Sequence, residues 1–133
     1  MSEVRIIIAG GRDFDGVDNY SILSDTLSAY IEEGLECVDR RNIVIMSGGA
    51  RGADKLGEAF AYNYDLRCRR FPAYWSQYGR AAGPIRNRKM AKYAAEETGV
   101  LFAFWDGKSR GTKNMIDWAK SYGLEIHVVR YEN

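Results

Sequence analysis

Each of three glycine-bearing loops in this chain carries an arginine. Arg12 follows Gly10-Gly11, Arg51 lies within Ser47-Gly48-Gly49-Ala50-Arg51-Gly52-Ala53-Asp54, and Arg110 lies within Asp106-Gly107-Lys108-Ser109-Arg110-Gly111-Thr112. Lys108 adds a further cation, and Arg86, Arg88 and Lys89 follow Gly83-Pro84. Cations gathered beside glycine turns suit a compact polyanion, a phosphate or diphosphate, better than an extended nucleic acid. The second loop directly follows the apolar run Ile43-Val44-Ile45-Met46 and precedes a helical pattern with Leu56, Ala59 and Phe60 on one face. Strand, glycine loop and helix together aim free backbone N–H groups and a helix N-terminus at a phosphate. On this reading Arg51 and Arg110 hold phosphate groups.

The elements that must position these loops alternate along the chain. Val4 to Ala9 and Ile43 to Met46 are nearly continuous apolar runs, as is Val100 to Phe104, and each reads as a buried strand. Leu66 to Phe71 alternates Leu66 and Cys68 with Arg67 and Arg69, and Glu125 to Val129 alternates Ile126 and Val128 with Glu125 and His127; both read as edge strands. The first helix is expected to start from an Asp18 cap, show Ile22, Leu23, Leu27, Tyr30 and Ile31 to the core, and end at Gly34. The second helix runs to about Asn63. A third opens at Gly83-Pro84, with Ile85, Lys89, Met90, Tyr93 and Ala94 facing inward, and a fourth runs from Thr112 with Met115, Ile116, Ala119 and Tyr122 inside. Alternating β and α elements imply an α/β fold, Rossmann-like and three-layered, with a five-stranded parallel sheet between helices. Placing the two edge-like strands outside gives the order 3-2-1-4-5, which reverses between strands one and four. Ligands of such sheets sit at the carboxyl ends of the strands beside the reversal, where the glycine loops lie.

The 133 residues make one domain, with 46% apolar and 28% charged residues and a net charge of +1. That balance provides no global field to recruit nucleic acid or a membrane surface. The first strand follows the amino terminus too closely for a signal peptide, and no apolar run reaches membrane-spanning length, so a cytoplasmic location is expected. Cys37 and Cys68 have neither metal nor redox spacing. Neither G-x-x-x-x-G-K-[ST] nor G-x-G-x-x-G occurs, which argues against a P-loop NTPase and an ordinary dinucleotide dehydrogenase. His127 is the only histidine and Ser47 has no paired base, so Ser47 reads as a turn residue. No metal and no cofactor are expected.

Two carboxylates each have two readings. Asp54 caps its helix or bonds a ribose hydroxyl; Asp13 pairs with a neighbouring arginine or faces the ligand. The long segment Ala73-Tyr74-Trp75-Ser76-Gln77-Tyr78-Gly79-Arg80 offers aromatics as a lid, a base-stacking platform or a subunit contact.

Four segments carry a resemblance: Gly10-Gly11-Arg12-Asp13-Phe14, the second loop from Ser47 to Asp54, Ala82-Gly83-Pro84-Ile85-Arg86-Asn87-Arg88-Lys89-Met90, and Gly107-Lys108-Ser109-Arg110-Gly111-Thr112. In them the chain resembles the SLOG superfamily, named for the DNA-processing protein DprA/Smf and the Lonely Guy enzymes, and most of all its YspA/cpYpsA-related branch. The resemblance implies a Rossmann-like domain binding nucleotides or their derivatives, in places as sensors of ADP-ribose-type signals in antiviral systems, and often as dimers or larger assemblies. The Lonely Guy branch hydrolyses the N-glycosidic bond of nucleoside monophosphates with a glutamate three positions after the threonine of Gly-Thr. Here that position, counted from Gly111-Thr112, is Met115, which can neither move a proton nor stabilise an oxocarbenium ion.

Taken together, the ligand-binding set is Gly10, Gly11, Arg12, Asp13, Ser47, Gly48, Gly49, Arg51, Gly52, Asp54, Trp75, Tyr78, Arg86, Asn87, Lys108, Ser109, Arg110, Gly111 and Thr112. The expected partner is a nucleotide-derived small molecule, ADP-ribose-type or cyclic, sensed or sequestered, with a homo-oligomer as the assembly. A phosphoribohydrolase of nucleoside monophosphates is the alternative. Single-stranded DNA binding is a third reading, weakened by the near-neutral charge.

Overall fold

The computed structural model describes residues 2–132. Its elements are β1 (Val4–Gly10), α1 (Gly16–Gly34), β2 (Ile43–Ser47), α2 (Ala53–Asn63), β3 (Arg67–Arg70), α3 (Trp75–Tyr78), α4 (Ala82–Ala95), β4 (Thr98–Trp105), α5 (Arg110–Ser121) and β5 (Glu125–Arg130). All five strands are parallel, in the order β3-β2-β1-β4-β5. The apolar runs of β1, β2 and β4 occupy the centre, and every residue of β3 is exposed.

Strand residues alternate between two cores. Ile6, Ile8, Ile45, Phe102 and Phe104 meet Leu23, Leu27 and Ile31 of α1 and Phe60 and Ala61 of α2. Ile7, Ala9, Val44, Met46, Leu101 and Ala103 meet Met90, Ala91 and Ala94 of α4 and Met115, Ile116 and Ala119 of α5. The division follows from handedness. Crossovers leading outward to β3 and those leading back to β4 and β5 travel in opposite directions, so right-handed connections put their helices on opposite faces. The reversal parts the loop after β1 from the loop after β4 and opens a crevice between them.

Local details differ from the sequence reading. Helix α1 starts after Asp15 rather than Asp18, because fully buried Phe14 stacks on Phe104 at 4.9 Å and anchors the chain just before the helix. Ile22 is exposed, since the inward stripe runs through Leu23, Leu27 and Ile31 at helical spacing. Lys89 is likewise exposed; Asn87, Met90, Ala91 and Ala94 form the buried stripe of α4. That helix begins at Ala82, after the long aromatic segment has coiled into α3 and a 3₁₀ turn over Gly79–Ala81. Leu66 lies outside β3, where its N–H closes the end of α2 on the Ala61 carbonyl at 2.8 Å. Among the described residues no helix is long and apolar enough to cross a membrane.

Candidate functional site

A cleft of about 1130 Å³ opens at the carboxyl ends of the central strands. Gly10, Gly11, Arg12 and Asp13 form one wall, and Gly48, Gly49, Arg51 and Asp54 form the next. Trp75 rises at the rim, Arg86 and Asn87 come from α4, and Ser109, Gly111 and Thr112 come from the third loop and α5. Much of the expected set therefore shares one space.

Ser47, Gly52, Tyr78, Lys108 and Arg110 do not line this cleft. Ser47 is fully buried below it, its hydroxyl bonded to Glu58 Oε2 at 2.6 Å while accepting the Gly49 N–H at 3.0 Å. Gly52 is buried against the backbone of Gly11 and Arg12. Tyr78 is exposed on α3, and Arg110 is exposed at the first position of α5. Lys108 lines a second, smaller cleft with Asp106, Arg130, Tyr131 and Glu132. Conversely, Arg70 and Asp106 line the main cleft although the sequence reading did not place them there. Position at the carboxyl end of β3 was the one signal for Arg70.

The backbone donors of the glycine loops are not all free, contrary to expectation. The Ala50 N–H is taken by Asp54 Oδ2 at 3.1 Å, so Asp54 closes its own loop rather than capping α2. Asp106 Oδ1 takes the N–H groups of Lys108 and Ser109 at 2.8 and 2.9 Å, and Ser109 Oγ caps α5 through Thr112 N–H. Asp13 pairs with neither neighbouring arginine. Its Oδ1 accepts the Tyr131 hydroxyl at 2.6 Å, and Tyr131 leans on Phe14 with ring centroids 4.8 Å apart.

Arg86 provides the cation that these loops surround. Its Nη1 donates to the carbonyls of Gly48 at 2.7 Å and Phe71 at 3.5 Å, and its Nε donates to Asn87 Oδ1 at 2.8 Å. Asn87 in turn donates to the Gly111 carbonyl and Asn114 Oδ1, which ties the guanidinium to the start of α5. Both polar groups of Asn87 are thus engaged within the protein. None of the ion pairs among the described residues includes Arg86. Burial lowers its pKa, against the pull of the Asp54 charge.

Across Gly48 stands Asp54, 7% exposed. A Cβ at Gly48 would lie 2.3 Å from Arg86 Nη1 and 2.9 Å from Asp54 Oδ2, so only glycine lets the loop pass between the two. Burial pushes the Asp54 carboxyl up to about 6, although the Ala50 N–H and Arg86 pull it down. Glu58 goes the other way: burial raises it, but hydrogen bonds from Arg70 and Ser47 outweigh burial and leave it lowered.

Residues 4–78, more than half of the chain, match the YspA, cpYpsA-related SLOG family. The chain belongs to that family. This SLOG protein is also 28% identical over 130 residues to the Gene 61 protein of Mycobacterium phage D29, covering 92% of this chain and 93% of that one. Its fold is similar to DNA processing protein A (DprA) from Streptococcus pneumoniae, with a TM-score of 0.66 at 15% identity. The likeness covers 96% of this chain and 50% of the DprA chain, so this SLOG protein spans half the length of that structure.

Two further features of the SLOG cleft bear on its chemistry. Met115, at the position to which the resemblance assigns the hydrolases' glutamate, is buried and lines the wall with a thioether. Trp75 lines the rim with 52% of its surface exposed, free to cover a ligand, while Tyr78 lies off the cleft. Trp75→Ala is therefore expected to weaken a base-bearing ligand by about 1–3 kcal/mol, the value of stacking on an aromatic face. Tyr78→Ala is expected to leave affinity unchanged. Calorimetric titration of both variants separates the two residues; equal losses would show that the whole aromatic segment acts as one unit.

Proposed function

We propose that this protein binds a nucleotide-derived, phosphate-bearing small molecule, of ADP-ribose type or a cyclic nucleotide, and acts by sensing or sequestering it. The observation that carries this reading is Arg86, a guanidinium withdrawn into the cleft with carbonyls and an amide around it and no carboxylate pair. A desolvated cation is costly until an anion meets it, and a phosphate is the planar fork's natural partner. Arg12, Arg51 and Arg70 line the same space and supply charge for a diphosphate. Met115 in place of a carboxylate favours retention of the ligand over its hydrolysis. A phage-encoded relative of matching length is consistent with a role in antiviral defence or counter-defence.

One observation favours a second reading. Tyr74, Trp75 and Tyr78 are all exposed on one segment, a surface on which successive bases of a single strand stack.

Calorimetry with ADP-ribose, cyclic nucleotides, AMP and a short oligonucleotide tests both. Saturable binding of a small nucleotide, one per chain, supports the proposal, and sequestration calls for a Kd near the nanomolar range, roughly −12 kcal/mol. Oligonucleotide binding alone, falling steeply with salt, would replace it with the second reading.

A further inference from the structure

The net charge of +1 conceals a separation along the chain. Residues 13–39 hold eight carboxylates and no Lys, Arg or His, whereas residues 66–95 hold eight Lys and Arg and no carboxylate. The fold turns this separation in sequence into one in space. Helix α1, from the first segment, packs on one core, and α4, from the second, packs on the other, so the two lie on opposite faces of the sheet.

The outward stripes of these helices are complementary. On α1, Leu23, Leu27 and Ile31 face the core, while Asp18, Ile22, Asp25, Ala29 and Glu32 recur at three- and four-residue intervals on the far side, all exposed. On α4, Met90, Ala91 and Ala94 face the core, while Arg88, Lys89 and Lys92 are exposed on the far side around half-buried Ile85. None of the ion pairs among the described residues includes a charged side chain of either stripe. Nor do the acidic residues make a metal site, since no group of three or more His, Cys, Asp or Glu among the described residues could hold a metal ion. Each stripe is a row of unneutralised charge around one isoleucine, and neither lines the cleft.

We infer that the acidic α1 face of one copy docks on the basic α4 face of a second copy, so that the protein associates head to tail. A second copy is the occupant because each face supplies the charge that the other lacks, while two like faces repel. This contact cannot close as a two-fold dimer. A two-fold axis would bring α1 and α4 of each copy into one interface, and they stand on opposite sides of the sheet. Every added copy therefore leaves one acidic and one basic face free, and the assembly grows with concentration. The charges are exposed, so salt governs the contact: the screening length falls from about 10 Å at 0.1 M to about 3 Å at 1 M.

Sedimentation velocity of the nuclease-treated full chain, over rising protein concentration and at those two salt concentrations, tests the assignment. The sedimentation coefficient is expected to climb with concentration at the lower salt, and the association constant to fall roughly tenfold or more at the higher. Two double variants, Asp25→Lys with Glu32→Lys and Lys89→Glu with Lys92→Glu, are each expected to stay monomeric alone, because self-contact then joins like charges. Mixing them is expected to restore association, since the first keeps its basic face and the second its acidic one. All four residues are exposed, so both variants are expected to keep the wild-type melting temperature. A wild-type protein that stays monomeric overturns the proposal, as does association that survives high salt, a dimer that grows no further, or a mixture that stays monomeric. Association seen only before nuclease treatment assigns the basic face to nucleic acid and overturns it as well.

Discussion

Arg86→Ala is expected to weaken binding of a phosphate-bearing nucleotide by about 2–5 kcal/mol, with the fold intact. The reason is geometric. Backbone carbonyls and Asn87 fix Nη1 and Nε, so Nη2 enters the cleft already oriented and little conformational entropy remains to be lost on binding. Arg51→Ala should cost less, because Arg51 is exposed and its charge is largely screened by water. Arg110→Ala should cost least, since that side chain lies outside the cleft. Arg86→Lys is expected to recover only part of the loss, for an ammonium cannot reproduce the planar fork. Titration calorimetry across these variants at a single salt concentration gives the ranking; an Arg110→Ala loss larger than that of Arg86→Ala would reverse the assignment.

The largest expected effect on stability comes from the turn that brings two of the loops together. Gly52 has φ 84, and a Cβ there would lie 2.3 Å from the Gly11 carbonyl oxygen and 2.6 Å from the Arg12 backbone. That same carbonyl accepts the N–H groups of Phe14 and Ala53, both at 3.2 Å, so it cannot withdraw without releasing them. Gly52→Ala is therefore expected to destabilise the protein by roughly 3–5 kcal/mol, combining backbone strain with overpacking. Gly34→Ala, where a Cβ meets nothing within 4 Å, serves as the control and is expected to change little. Urea unfolding curves measure both; equal midpoints would show that the first loop yields more readily than its hydrogen bonds imply.

The sheet was legible because its signals are local. Continuous apolar runs mark β1, β2 and β4 as buried on both faces, and the arginines of β3 mark an edge, so the strand order follows from where each can sit. The crevice was legible for the same reason, since it lies wherever that order reverses. Which side chains enter it depends on contacts that no local pattern encodes. Arg86 and Arg110 both stand near helix starts beside glycine, yet Asn87 and the Gly48 carbonyl turn one inward while the other faces solvent. Asp54 offered a helix cap or a ribose contact, yet it folds back onto its own loop, as Asp106 does in the third, and both take donors expected to serve a phosphate. The Tyr131 hydroxyl bonds Asp13 across 118 residues of sequence, beyond the reach of any periodicity.

Recovery of the ligand tests the central claim most directly. Purified protein is incubated with ADP-ribose-type and cyclic nucleotides, freed of excess by filtration and heat-denatured, and the supernatant is analysed by mass spectrometry. A cleft with Arg86 at its centre and Met115 in place of a carboxylate is expected to return one nucleotide, chemically intact, at the stoichiometry of the protein. Return of no nucleotide, or of free base and ribose phosphate in multiples of the protein present, would contradict it.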